Sequence, residues 1–253
     1  MGNQTWLRGF EISPDPNQPG VVGMDVGNLT IADNRISTVG SNAPGIRITE
    51  TRSVTFSGNQ VRIVDNTIST IGAQSSGVEV FVTNGSLDRL EVSGNTVRTD
   101  GDFSSHGIRA LIRDTGSLGL VQINKNKVSS ARPLSEGIYL SITDGGSLRR
   151  ATINSNEIFI TGSVPSDSDN QLDLESDGIY VNVLRRGQLQ EIEINNNSVT
   201  TLGNDADGIY LIAGVNGVIQ RAVVSGNIVS ALASNPIQAC QSAGGKILAY
   251  ADG

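Results

Sequence analysis

The sequence contains few of the residues that stabilise helical or disulfide-bonded domains. Cys240 is its only cysteine, so no disulfide can form within the chain and no thiolate cluster is present for zinc. Aromatic residues make up 4% of the chain and there are two methionines, whereas glycine occurs 30 times. This composition disfavours a helical bundle and is typical of many short strands joined by tight turns.

Positive charge and long apolar stretches are also scarce. The chain has 18 lysine and arginine residues against 25 acidic ones, which gives a net charge of −7. We therefore expect neither nucleic acid nor an anionic membrane surface as a partner. No stretch approaches the length of a membrane span and no charged-then-apolar leader opens the sequence, so membrane insertion is not expected.

A repeat of about 30 residues runs through the chain. A glycine before isoleucine or valine, as in "DGIY", recurs at intervals of 32, 30, 30, 41 and 30 residues, at Gly45, Gly77, Gly107, Gly137, Gly178 and Gly208. An asparagine two places before an aliphatic residue recurs at Asn34, Asn66, Asn95, Asn126, Asn156, Asn197 and Asn227. Apolar residues alternate within the motifs, as in Ile138, Leu140 and Ile142, and this period of two predicts strands rather than helices.

The constant interval predicts an all-β coil with three short strands per turn and about seven turns. Equivalent strands then stack as parallel ladders about 4.8 Å apart, and the inward aliphatic residues form the core. We expect the asparagines at a corner, where stacked side-chain amides hydrogen-bond from coil to coil and asparagine tolerates left-handed backbone. The repeated glycine is expected at another corner, where a positive φ or a close backbone approach is needed.

Four segments, "LRGFEI" (Leu7–Ile12), "VSGNTV", "INSNEI" and "INNNSV", resemble the right-handed parallel β-helix, or pectin-lyase-like, superfamily. The resemblance covers nearly the whole chain and implies that fold. It implies less about activity, because the same coil carries lyases, hydrolases, phage tailspikes and adhesins. The motifs of the catalytic subfamilies are missing: "SSHGIR" holds the only histidine without a preceding glycine, and "RPLSEG" lacks the second arginine of pectate lyases.

One outer face is predicted to collect polar and aromatic side chains from consecutive coils. Tyrosine rings with polar tips suit sugar rings, and stacked carboxylates favour a raised pKa and general-acid chemistry. Alternatively, the tyrosines form a stabilising ladder and the acids are only solvated. The candidate binding residues are Tyr139, Tyr180, Tyr210 and Arg109, and the alternative catalytic residues are Glu136, Asp177 and Asp207.

The interval of 41 residues indicates an inserted acidic loop at about 163–176. Loops on a regular scaffold often carry function, and its carboxylates Asp167, Asp169 and Asp173 are weak candidates for calcium. The spacing lacks the central glycine and final glutamate of an EF-hand, which favours a solvated loop. No other cofactor is expected.

We interpret residues 1–253 as a single β-helix domain, either a segment of a longer protein or a unit that stacks end to end on copies of itself. The predicted function is a structural or binding segment of an extracellular bacterial surface or filament-forming protein, with weak polysaccharide binding on the tyrosine face. The alternative is a polysaccharide lyase or glycoside hydrolase that uses the stacked carboxylates.

Overall fold

Alternating inward aliphatic and outward polar residues form short parallel strands throughout the chain. In the computed structural model these strands wind into an all-β solenoid of about seven turns, with about 30 residues per turn. The structure describes residues 4–52, 58–101, 104–132, 134–162, 176–203, 206–232, 236–242 and 244–252. Within these ranges no helix is long and apolar enough to cross a bilayer. The predicted all-β coil with three strands per turn is confirmed.

The strands are short, and most turns contribute one strand to each of three sheets. In chain order the described strands are β1 (Thr5–Arg8), β2 (Glu11–Ile12), β3 (Val21–Met24), β4 (Leu29–Ala32), β5 (Arg35–Val39), β6 (Ile46–Glu50), β7 (Gln60–Val64), β8 (Thr67–Ile71), β9 (Val78–Thr83), β10 (Ser86–Ser93), β11 (Thr96–Thr99), β12 (Ile108–Arg113) and β13 (Ser117–Asn124). They continue as β14 (Lys127–Ser130), β15 (Ile138–Thr143), β16 (Ser147–Asn154), β17 (Glu157–Ile160), β18 (Ile179–Leu184), β19 (Gln188–Asn195), β20 (Ser198–Thr201), β21 (Ile209–Gly214), β22 (Val218–Ser225), β23 (Ile228–Ala231), β24 (Ile237–Ser242), β25 (Lys246–Ile247) and β26 (Tyr250–Asp252).

Successive turns add their strands to three parallel sheets. Sheet A has the order β1-β4-β7-β10-β13-β16-β19-β22-β25, and β26 also pairs with β22. Sheet B runs β2-β5-β8-β11-β14-β17-β20-β23, and sheet C runs β3-β6-β9-β12-β15-β18-β21-β24. The register keeps repeat positions opposite one another: Ile138 pairs with Ile179, and Ile179 with Ile209. Each repeat position therefore becomes a column along the solenoid axis.

The inward columns form one aliphatic core. Isoleucine, valine and leucine residues from all three sheets pack together and are almost fully buried. One carboxyl interrupts this core: Glu50 occupies the inward column of Val82 and Ile112 and is 0% exposed. Its Oε1 accepts a hydrogen bond from the Val26 amide, while Oε2 has no hydrogen-bond partner among the described residues.

The corner between sheets A and B is stabilised by a ladder of asparagines, of which all but Asn227 are buried. Their Nδ2 groups donate to the Oδ1 of the next asparagine at 2.9–3.0 Å, through Asn34, Asn66, Asn95, Asn126, Asn156, Asn197 and Asn227. Each Oδ1 also accepts the backbone amide of the preceding asparagine, as between Asn126 and Asn156 at 3.0 Å. The predicted hydrogen bonding from coil to coil is therefore confirmed.

The left-handed backbone at this corner lies one residue before each asparagine, not at the asparagine itself. Asp33 and Asp65 have φ of 56°, Lys125 and Ser155 have φ of 57°, and Asn196 has φ of 56°. The preceding residue makes the sharp turn, so that the asparagine side chain can point inward and reach the neighbouring coil.

The repeated glycine lies at the corner that leads into sheet C. Glycine is needed there because atoms of the neighbouring coil leave no room for a Cβ. A Cβ added at Gly137 would lie 2.5 Å from Ile158 Cγ2 and 2.6 Å from the Gly178 carbonyl oxygen. Gly107 is equally confined, at 2.2 Å from Val128 Cγ1 and 2.6 Å from the Gly137 carbonyl oxygen. Of the two expected causes, close approach applies here and positive φ does not, because neither glycine has a positive φ.

Candidate functional site

One outward column of sheet C carries the predicted binding residues. Arg109 in β12 pairs with Tyr139 in β15, which pairs with Tyr180 in β18 and then Tyr210 in β21. We call these four residues, together with His106, the tyrosine strip. The structure thus brings all four predicted binding residues into one continuous line across four coils.

The rings of the strip stack face to face along the solenoid axis. The His106 and Tyr139 ring centroids are 4.8 Å apart, those of Tyr139 and Tyr180 5.5 Å, and those of Tyr180 and Tyr210 5.4 Å. The interplanar angles of 22°, 28° and 19° leave most ring faces covered by the neighbouring ring. Solvent therefore meets ring edges and polar tips rather than open ring faces. This geometry agrees with the stabilising ladder and removes most of the surface on which a sugar ring would stack.

The Arg109 guanidinium lies at one end of the tyrosine strip, between two aromatic rings. Its guanidinium carbon lies 5.6 Å from the Tyr139 ring centroid and 5.4 Å from that of Phe81. Glu79 in the adjacent coil is buried. Its carboxylate forms an ion pair with Arg47 Nη2 at 2.9 Å, and Arg109 Nη1 lies further away, at 3.9 Å. The Arg109 Nε is buried without a hydrogen-bond partner in the described part of the chain.

The acidic column beside the strip is less open than the sequence suggested. Asp177 and Asp207 are each 3% exposed, and Asp177 Oδ1 accepts the Asp207 backbone amide at 2.8 Å. Glu136 contacts His106 Nδ1, and both side chains are largely buried. The expectation of three carboxylates on an outer face thus differs from the structure, because the corner directs these side chains toward the neighbouring coil. An acid that binds a backbone amide there stabilises the corner.

The Tyr180 phenol stays neutral in this environment. Burial raises the pKa of Tyr180 to about 12, against a smaller opposing effect of its hydrogen bond with Asn182. Asn182 Nδ2 also donates to the Tyr139 hydroxyl at 3.1 Å, and Asn182 Oδ1 is buried without a partner among the described residues. Tyr180 and the neighbouring Asn182 are thus a neutral hydroxyl and an amide, the kinds of group that exchange hydrogen bonds with sugar hydroxyls.

The calcium candidates Asp167, Asp169 and Asp173 lie outside the described residues. In the ranges that the structure does describe, no group of three histidine, cysteine, aspartate or glutamate side chains is placed to hold a metal ion.

Sequence reasoning missed two residues of this site, Glu79 and Asn182. Both occupy outward positions of sheet C strands, so aligning the repeats could have placed them beside the predicted binding residues. Glu79 precedes Arg109 in the strip column, and Asn182 lies beside Ser141 in the neighbouring column.

Comparisons with family models, curated proteins and solved structures gave no significant match to this chain.

Proposed function

We propose that this chain is a structural and binding segment of an extracellular bacterial surface or filament-forming protein, built on a β-helix of the pectin-lyase-like type. Weak carbohydrate binding is assigned to the tyrosine strip. The observation that carries this assignment is the continuous line of phenol groups across three coils, flanked by Arg109 and Asn182.

Binding at this strip depends on polar tips rather than ring faces. The hydroxyls repeat at the spacing of the coils, and the Arg109 side chain, which is 26% exposed, adds a guanidinium donor beside them. Sugar hydroxyls satisfy both kinds of group, since each can donate and accept. Because few ring faces are open, the affinity expected from this strip is low.

Replacing Tyr139, Tyr180 and Tyr210 together with phenylalanine is expected to reduce glycan binding at least about tenfold while preserving the ring ladder. The stacked rings remain, so the fold should be retained, with a loss of stability of about 1–3 kcal/mol because the buried Asn182 amide loses its hydrogen bond to the Tyr139 hydroxyl. Titration with a panel of neutral and acidic polysaccharides measures the binding, and circular dichroism measures the folding.

The matched comparison is the triple alanine variant, which should lose both binding and part of its stability because it removes the ladder. Unchanged glycan binding in the phenylalanine variant would place the carbohydrate site elsewhere.

A polysaccharide lyase or hydrolase remains the second candidate because of one contact. A carboxylate in contact with an imidazole, as Glu136 is with His106, is an arrangement suited to general acid–base chemistry. Reducing-sugar release and unsaturated-uronide absorbance on the same polysaccharide panel test it. Product formation that disappears in His106→Ala would replace the binding proposal with the enzymatic one.

End-to-end association of copies is the second part of the structural proposal. Trp6, Phe10, Val22 and Met24 are exposed large apolar residues in the first described turn, and Ile228, Leu232, Leu248 and Tyr250 are exposed at the opposite end. The described residues place no further strand beyond β1 or β25 in sheet A. A second copy stacked in the same direction extends both the ladders and the apolar columns. Such a heterologous contact produces a filament when its rotation does not close.

Leu248→Lys is expected to block this stacking, because it places a charge on the apolar end. Light scattering should show a mass that rises with concentration for the native chain and a monomer for the variant. Phe159→Lys is the matched control, since Phe159 is 47% exposed on sheet B away from both ends and should leave association intact. A native chain that remains a monodisperse monomer at high concentration would contradict the stacking proposal.

A further inference from the structure

Three of the four tyrosines of the chain lie in one column of sheet C, one in each of three consecutive coils. In the parallel register Tyr139 is opposite Tyr180, and Tyr180 is opposite Tyr210. Arg109 precedes Tyr139 in this column, and Gln238 follows Tyr210. The column therefore contains two adjacent tyrosine pairs, and both pairs share Tyr180.

The rings of each pair are close enough to react with one another. Their centroids are 5.5 Å apart between Tyr139 and Tyr180 and 5.4 Å apart between Tyr180 and Tyr210. Because the planes are inclined by 28° and 19°, one edge of each pair is closer than the centroids are. All three rings lie on the outer face and are partly exposed. Rotation of these side chains can therefore bring two ring edges together without disturbing the aliphatic core.

Oxidation couples phenols that are held in this arrangement. Loss of one electron and the hydroxyl proton converts a tyrosine into a tyrosyl radical, whose unpaired electron is shared with the ring carbons ortho to the oxygen. Two such radicals form a carbon–carbon bond between ortho carbons. A proton then leaves each of these carbons, and each oxygen regains one, which restores both phenols. The net reaction removes two electrons and two protons, and hydrogen peroxide accepts them as it is reduced to water.

The register restricts this coupling to the two adjacent pairs. Tyr139 and Tyr210 are two strand spacings apart, about 10 Å, and the Tyr180 ring lies between them. The fourth tyrosine, Tyr250, belongs to β26 in sheet A. The expected products are therefore one link between Tyr139 and Tyr180 and one between Tyr180 and Tyr210.

We propose that the tyrosine strip is a site of oxidative cross-linking, where a peroxide-derived one-electron oxidant forms dityrosine between neighbouring coils. The links close loops of 41 residues between Tyr139 and Tyr180 and of 30 residues between Tyr180 and Tyr210. A covalent link across such a loop restricts the unfolded chain and stabilises the folded solenoid, as a disulfide would. With one cysteine, the chain cannot form a disulfide of its own. The cross-link needs no carbohydrate ligand, so it does not depend on the binding proposed above.

Oxidation of the dilute protein tests this proposal, with the Cys240 thiol alkylated beforehand so that it does not reduce the radicals. Visible light, a ruthenium trisbipyridine complex and persulfate, a small peroxide, supply the one-electron oxidant. Trypsin cuts at Arg150 and Arg186, between the three tyrosines of the strip, and so places them in different peptides. Mass spectrometry should find both cross-linked peptide pairs, each lighter by two hydrogens than its two peptides, in protein that remains monomeric.

Tyr180→Phe is the decisive variant, because it removes the phenol that both pairs share and keeps the stacked ring. It should abolish both cross-linked pairs, whereas Tyr139→Phe and Tyr210→Phe should each lose one pair and keep the other. Tyr250→Phe is the matched control in sheet A and should keep both. Oxidation should raise the urea midpoint of the native chain and leave that of Tyr180→Phe unchanged.

Oxidation in concentrated urea provides the last comparison, because unfolding removes the register that pairs the rings. The two adjacent links should then be no more abundant than a link between Tyr139 and Tyr210. The proposal would be overturned by an absence of dityrosine in the folded protein, by equal yields in Tyr180→Phe, or by a urea midpoint that cross-linking does not raise.

Discussion

Asn156→Ala is expected to lower the free energy of unfolding by about 4 kcal/mol, at roughly 1 kcal/mol for each hydrogen bond lost. Asn156 Nδ2 donates to the Ile123 carbonyl at 2.8 Å and to Asn197 Oδ1 at 2.9 Å. Its Oδ1 accepts the backbone amide and the Nδ2 of Asn126, both at 3.0 Å. Alanine therefore removes hydrogen bonds from buried polar groups of Ile123, Asn126 and Asn197, in the two coils that flank Asn156. Urea denaturation measures the loss.

Asn154, two residues earlier, provides a matched control at the end of β16, the strand that leads into the same corner. Its side-chain oxygen accepts one hydrogen bond, from the Asn195 amide at 3.1 Å, at a partly buried position. Asn154→Ala should therefore lower stability by only about 1 kcal/mol. Equal losses in the two variants would show that the buried ladder contributes no more than an ordinary surface amide.

The stability of the protein is expected to fall as pH rises, because of Glu50. Burial raises the pKa of Glu50 to about 7 from its ordinary value of 4.5, against the Val26 amide bond that lowers it, and nearby Asp25 adds to the increase. Hydrogen bonds from Thr51 and Arg52 hold the pKa of Asp25 itself low, so Asp25 carries its charge in this range. The neutral form of Glu50 is the one that the core tolerates.

The sign of the effect follows from the direction of the Glu50 shift. A carboxyl whose pKa is raised on folding contributes its full stability below pH 4.5, and this contribution is lost as pH rises through about 7. Glu50→Gln cannot ionise, so its advantage over the native chain should grow with pH and reach on the order of 3 kcal/mol by about pH 8. Denaturation at a series of pH values measures this difference.

Glu91→Gln gives a control of opposite sign. Burial acts to raise the pKa of Glu91, but hydrogen bonds from Arg62 and Ser93 outweigh it and lower that pKa. Its removal should therefore reduce stability at neutral pH and have little effect in acid. A pH dependence that is the same in Glu50→Gln and in the native chain would rule out Glu50 as its source.

The fold and the asparagine ladder were predictable because both depend on position within the repeat. Residues at the same position of each repeat stack in one column along the solenoid. Asparagines in such a column at a corner therefore contact one another. The inward position of Glu50 was also readable, since it continues the alternation of Ile46 and Ile48 in β6.

The burial of Asp177 and Asp207 could not be read in this way. A motif fixes the coil and the corner but not whether a short side chain turns toward solvent or toward the backbone of the next coil. The stacking of the tyrosine rings depends similarly on side-chain torsions.

The ladder has a consequence for protein engineering. The interval between Asn156 and Asn197 is 41 residues, yet their side-chain hydrogen bond is 2.9 Å long, like those between coils of ordinary length. The corner between β17 and β18 therefore accepts additional chain without a change in the register of the flanking strands. Since loop-closure entropy rises only slowly with length, foreign peptides or small domains can be grafted at this corner. A row of such grafts on a stacked solenoid would display them at a fixed spacing.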